Sequence, residues 1–299
     1  AGAPPWFTPL THEDSLFCAM TACAWGLRGM SLYMAVDRDR WYGAPIDGRG
    51  NPRVDAGAWK NFFSVLADTR FHTLRRDARV GLVLPREYGR LSRATHLLGV
   101  FSPITLDAIG GTPVDACAED DLGFGGPIQI LWWRMIARFA EALTAEGIPY
   151  VYIDGDAARA RFDELSVVVA PTYEYTAPAV WKKLCAWAAD GGTLVFGPAL
   201  PTLDETMTKR PLEVPRNGRR VLIDTQADAA SVVRELVRDL GLEAPFRVTP
   251  APLETAVHEG EGGAHVVFVI NPGTQRLEGT VKLPVAMQLE DAMTGETFA

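Results

Sequence analysis

Four cysteines are all this chain has, Cys18, Cys23, Cys117 and Cys185, and they stand far apart with no C-x-x-C. That spacing leaves zinc and redox motifs unsupported and points to buried, reduced thiols in a cytoplasmic protein. The five histidines never form H-x-x-x-H, and none falls between His96 and His258. No metal or other cofactor is therefore expected. A basic tract is missing, and the formal charge of −8 over 299 residues argues against nucleic acid and anionic membranes as partners. No run approaches the roughly 20 apolar residues of a membrane span. G-x-S-x-G and G-x-C-x-G do not occur, and "GFGG", 123–126, has no strand leading into it as a phosphate loop would.

What the chain does have is an alternation of short apolar runs and amphipathic segments. "DSLFCAMTACAWG", 14–26, predicts a helix with Leu16, Met20 and Cys23 on one face. "GMSLYMAV", 29–36, predicts a short strand, 37–53 a Gly- and Pro-rich loop, and 57–76 a helix with Trp59, Phe62, Phe63 and Leu66 in one stripe. From residue 78 the rhythm becomes regular. Strands are predicted at 78–85, 148–153, 165–170, 192–198 and 219–224. Helices are predicted at 127–147, 176–190 and 230–241, with Thr176 as N-cap of the second and Gly147 closing the first. Such alternation means a parallel sheet covered on both faces. Residues 246–299 read as short strands divided by Gly, Pro and Asn, a small antiparallel β-sandwich.

Residues 86–126 do not fit that rhythm and are read as a long loop insertion. It is either a disordered excursion or a segment docked on another surface. Tyr88, Leu97, Leu98, Phe101 and Phe124 favour docking.

Two places could hold chemistry. The first is the corner in "LSVVVAPTYEYT", 165–176, where a strand meets a helix at Pro171-Thr172. In many α/β enzymes such a corner carries a Ser or Cys nucleophile. Here it carries neither, and no histidine falls between His96 and His258 to serve as base, so catalysis is not expected there. The second is "YMAVDRDRWYGAPIDG", 33–48. Tyr33, Asp37, Arg38, Asp39, Arg40, Trp41 and Tyr42 crowd the predicted end of a strand. Aromatic faces beside carboxylates and guanidinium groups suit a sugar. The same charges equally make a surface ion-pair cluster around a loop.

Taken together, these segments resemble the C-terminal half of β-galactosidases of glycoside hydrolase family 42, with an echo of family 35. The residues that carry the resemblance are "GMSLYMAV", "FDELSVVVAPTYEYTAPAVWKKLCAWAADGGTLVFGP" and "HVVFVINPGTQRLEGTVKLP" with its closing "LEDAMTGETFA". The resemblance implies an α/β fold in three parts. Residues 1–76 would be the end of a catalytic (β/α)8 barrel, 77–244 a flavodoxin-like trimerisation domain, and 245–299 a C-terminal β-sandwich. It implies a retaining glycosidase whose two glutamates lie upstream of Ala1, since "AGAPPWF" resembles the family's stretch directly after the nucleophile. It also implies a terminal β-galactoside as substrate, the upstream barrel as partner and a homotrimer. The substrate-binding residues would be Tyr33, Asp37, Arg38, Asp39, Trp41 and Tyr42. Asp39 and Tyr42 stand where the family often has an acidic residue and a histidine, so the histidine is missing. The alternative is a non-catalytic module that binds carbohydrate or assembles oligomers.

Overall fold

A computed structural model of the chain describes residues 10–97, 113–210, 218–223, 228–244 and 246–298. The chain divides into two compact units, one of residues 78–244 and one that joins residues 1–77 to 245–299.

The unit of residues 78–244 is built on five parallel strands: β2 (Val80–Leu84), β3 (Tyr150–Asp154), β4 (Val167–Thr172), β5 (Thr193–Pro198) and β6 (Arg219–Leu222). Their spatial order is β3-β2-β4-β5-β6. Counted within the sheet this is 2-1-3-4-5, the flavodoxin-like order. The run Val167-Val168-Val169-Ala170 is buried throughout, as a central strand covered on both faces must be. Its residues alternate between two cores. Val167 and Val169 join Val80, Leu82 and Val195 under α4 (Ile128–Ala145) and α7 (Ala229–Leu240). Val168 and Ala170 join Val83, Leu194 and Phe196 under α5 (Arg159–Phe162) and α6 (Pro178–Ala189). The turn that leads into β4 packs closely on the sheet at Gly81, where an added Cβ would lie 2.5 Å from Leu165 Cδ1. Gly147, with φ of 69°, closes α4 as its place in the sequence predicts.

Against the sequence expectation, residues 86–126 are not loop throughout, because Arg86–Thr95 is a helix, α3. Its inward face is Glu87, Tyr88 and Ser92, so no apolar stripe announces it in the sequence. Ser92 Oγ donates to Gln129 O (2.6 Å) and accepts from Trp132 Nε1 (3.0 Å), which docks the helix on α4 through hydrogen bonds. Phe124 is not held out for a partner either. It packs within this unit on Tyr175, ring centroids 5.5 Å apart. Leu97 is exposed, and Leu98 and Phe101 lie outside the described residues.

The other unit contains α1 (His12–Ala24), α2 (Ala56–Asp68) and a set of antiparallel strands. β1 (Arg75–Arg76) pairs with β8 (Glu254–Glu259), which pairs with β9 (His265–Ile270). β7 (Arg247–Thr249) pairs with β10 (Thr280–Lys282), and β11 (Leu289–Glu290) with β12 (Thr297–Phe298). Its core gathers Cys23, Trp59, Phe62, Phe71 and Leu74 against Val266 and Phe268. His258 is buried there, 4.8 Å from the Phe71 ring, with Nε2 3.0 Å from Ala24 O. Two sequence expectations differ. The helix read over 57–76 ends at Asp68, where a left-handed Arg70 (φ 48°) breaks it before Phe71. Residues 29–36 make no strand. Val36 has a single bridge, to Ile46, and a strand without a ladder leaves its backbone to turns.

Candidate functional site

The corner after β4 lies at the carboxyl end of the sheet, beside β2, where the strand order reverses. Open α/β sheets take their ligands in the crevice at such a point. Here the chain's own side chains occupy it. Tyr88, wholly buried, donates its hydroxyl to Tyr175 O (2.7 Å) and accepts from Tyr173 N–H (2.8 Å). Its ring meets those of Tyr173 and Tyr175 edge-on, with centroids 5.4 and 5.2 Å away. Glu87 Oε1 accepts from Thr176 Oγ1 (2.9 Å) and Ala177 N–H (3.1 Å). The N-cap of α6 is thus Ala177, and Thr176, predicted for that role, hands its hydroxyl to Glu87 instead. A carboxylate from α3 supplies the cap because it carries a full charge to the positive end of the helix. Thr172 Oγ1 donates to Ala199 O at 2.8 Å.

Burial pushes the Tyr88, Tyr173 and Tyr175 hydroxyls well above their ordinary range. None of the three is a nucleophile or base near neutral pH. "GFGG" is filled in the same manner. Gly125 N–H donates to Glu174 Oε1 at 2.6 Å, so a carboxylate of the chain holds a backbone donor that a bound anion would otherwise take. Most polar groups of this corner satisfy one another, while Glu174 Oε2 is buried with no hydrogen-bond partner among the described residues.

The loop 37–48 is arranged differently. Asp37 is 8% exposed. Its Oδ1 accepts from Ala44 N–H at 2.7 Å, and its Oδ2 is paired with Arg53 Nη2. Burial by itself raises the Asp37 pKa, but the Ala44 hydrogen bond, the Arg53 hydrogen bond and the Arg53 charge together hold it below the usual value. Asp47 accepts from the N–H groups of Arg49 and Asn51, both at 2.8 Å, and fixes the next turn. Arg38 and Trp41 close a tight hairpin through two backbone bonds of 3.2 and 2.8 Å. The ring of Tyr33 stands edge-on to Trp41, centroids 6.3 Å apart.

Of the six predicted binding residues, the structure therefore brings Tyr33 and Trp41 together. It leaves Arg38, Asp39 and Tyr42 exposed on the same loop and withdraws Asp37 into the interior. Arg40 is exposed as well. Asp37 pairs with Arg53 and not with Arg38 or Arg40, so the four charges of 37–40 are not a mutual ion-pair cluster. Nothing in the sequence singles out Arg53. Its partner lies sixteen residues away, a separation that fits no local pattern. Asp47 is legible: "DGRGN" is an Asx-type turn sequence.

No protein-family model matches the chain, and no curated protein matches it in sequence. Solved structures do. A catalytic mutant of a GH42 β-galactosidase from G. stearothermophilus aligns with a TM-score of 0.63 at 14% identity, over 94% of this chain and 48% of that one. A β-galactosidase from Rahnella sp. R3 aligns at 0.60 and 14%, over 94% and 49%. One from Bacillus circulans sp. alkalophilus aligns at 0.58 and 15%, over 90% and 46%. The chain spans about half the length of the solved chains it matches. At this identity the likeness is one of fold: mixed α/β, with a parallel five-stranded sheet and small antiparallel sheets, as in GH42 enzymes.

Proposed function

We propose that this chain is the C-terminal portion of a retaining glycoside hydrolase that cleaves terminal β-galactosides. The observation that carries the reading is the shared fold, which runs over 94% of this chain in a GH42 β-galactosidase while covering only 48% of that enzyme. Retaining hydrolysis needs two carboxyl groups about 5–5.5 Å apart across the bond. In the loop 37–48 the buried carboxylate, Asp37, is already engaged by Arg53 and Ala44. The two catalytic glutamates then belong to an upstream barrel segment, and this chain contributes a wall of the sugar site. Tyr33, Trp41 and Tyr42 offer ring faces and edges to the sugar. Arg38 and Asp39 reach its hydroxyls, and Asp37 acts indirectly by shaping the loop. The unit of residues 78–244 does no chemistry, because no Ser, Cys or His stands at its corner and the Tyr88 hydroxyl there is held between two backbone groups, and serves assembly, with a homotrimer as the expected state.

The test is hydrolysis of a nitrophenyl β-galactoside by this chain alone and by the chain joined to its upstream segment. Turnover is expected only from the joined polypeptide. Turnover by the isolated chain, abolished by Asp39→Asn or Glu13→Gln, would overturn the reading. Sedimentation equilibrium of the joined polypeptide checks the trimer.

A further inference from the structure

We propose that Arg53 is a positioning residue whose pairing with Asp37 holds the loop 37–48 in the shape that presents Trp41; as a statement about sugar binding, this rests on the glycosidase reading above. The backbone of this region is unusual. Met34 (φ 70°) and Arg40 (φ 55°) are left-handed without being glycine, and Gly43 (φ 84°) comes soon after. Such a conformation is unfavourable for a non-glycine residue and persists only where its surroundings over-determine it.

The over-determining contacts converge on two side chains. Asp37 N–H donates to Ile46 O at 2.9 Å while its carboxylate takes Ala44 N–H, so Asp37 ties the two flanks of the loop together. Arg53 holds both partners of that tie. Its backbone N–H donates to Pro45 O at 2.9 Å, and its guanidinium pairs with Asp37 Oδ2. Between these anchors residues 38–43 have no other route than outward, which sets Trp41 edge-on to Tyr33 and leaves Arg38, Asp39 and Arg40 exposed. Without Arg53 a buried carboxylate keeps a single backbone donor, and an uncompensated buried charge draws toward water. The loop would follow it. Lysine is only a partial substitute, because a point charge lacks the guanidinium's directional donors.

Arg38 and Arg40 are themselves trypsin sites, so the loop reports its own state. Trypsin cleavage after these residues, read by mass spectrometry on the full chain, is compared for the unsubstituted protein, Arg53→Met, Arg53→Lys and Asp37→Asn. The kinetics of a β-galactoside are measured for the same variants in the joined polypeptide, with a denaturation midpoint for each. Arg53→Met is expected to speed cleavage at Arg38 and Arg40 with the global midpoint unmoved. It should lower kcat/KM about tenfold, mainly through KM, with Arg53→Lys recovering part of both effects. Cleavage as slow as in the unsubstituted protein overturns the proposal. So does faster cleavage with unchanged kcat/KM, which would make the pair a loop anchor that positions nothing. If the unsubstituted polypeptide turns over no glycoside, the glycosidase reading falls. The latch is then decided by proteolysis alone, where faster cleavage supports it and unchanged cleavage overturns it.

Discussion

At the corner after β4 a tyrosine hydroxyl lies buried between two backbone groups, and a carboxylate caps the next helix. In the loop 37–48 a single carboxylate is buried, and its neighbours Arg38, Asp39, Arg40 and Tyr42 face solvent. Both places put polar side chains where an α/β enzyme could keep chemistry. The corner uses most of them internally, which rigidifies the unit and leaves little to offer a substrate. The loop uses one pair to fix its shape and keeps the rest available. Removing a group should therefore damage stability at the corner and recognition at the loop.

Tyr88→Ala tests the first half most severely. It opens a cavity and strips two backbone groups of their partner, and should destabilise the unit by about 3–5 kcal/mol in denaturant unfolding. Tyr88→Phe keeps the ring and should lose about 1–3 kcal/mol, the cost of leaving Tyr173 N–H and Tyr175 C=O unpaired. A loss in glycoside turnover with no loss of stability would break the contrast. Trp41→Ala tests the second half. In the joined polypeptide it should weaken transition-state binding by about 1–3 kcal/mol, read from kcat/KM, while the denaturation midpoint stays put. Glu87→Ala should cost about 1 kcal/mol of stability through the lost cap on α6.

The smallest expected effects are in pH. The Asp37 pKa is lowered, so its contribution is fully present above the ordinary aspartate range and is lost as pH falls through the native value. Arg53 and Asp47 are the charged groups that face it, the first favouring and the second opposing its ionisation. Hydrogen exchange at the Ala44 amide should therefore gain an acid-side opening as pH falls below the ordinary aspartate range, before the rest of the molecule unfolds. Burial lowers the pKa of His258, with the charges of Arg76 and Arg28 adding to the shift and the Ala24 O contact opposing it. Its contribution is complete above the ordinary histidine range and declines as pH falls below it. A denaturation midpoint that drops between pH 7 and pH 5, and drops less in His258→Gln, is the expected signature.

The sequence showed the parallel sheet plainly, because the run Val167-Val168-Val169-Ala170 can only be buried on both sides. It showed α4 through its apolar stripe and Gly147. It also showed that the corner lacked a nucleophile, since neither Ser, Cys nor His stands there. What filled the corner was illegible. Glu87 and Tyr88 belong to "REYGRLSRAT", whose polar composition hides a helix that docks through Ser92 and Trp132. Likewise "GMSLYMAV" has the composition of a strand, but among the described residues it makes only the Val36–Ile46 bridge. Arg53 and Asp37 meet only once the chain between them has turned at Gly43 and Asp47. Local pattern carries regular structure well. It carries a tie between distant polar side chains hardly at all.

The pairing of β1 with β8 has a consequence in time. These strands lie on either side of the whole 78–244 unit in the chain, yet they share one sheet. During synthesis, Arg75 and Arg76 leave the ribosome with no partner. Roughly 180 more residues must emerge before His258 and Glu259 arrive, a closure far longer than any within the parallel sheet. The unit made second can finish folding first, and the unit begun first completes last. Until then the rings of Trp59, Phe62 and Phe71 lack Val266 and Phe268 to cover them, so the nascent chain is most prone to aggregate in the interval when its middle is already native.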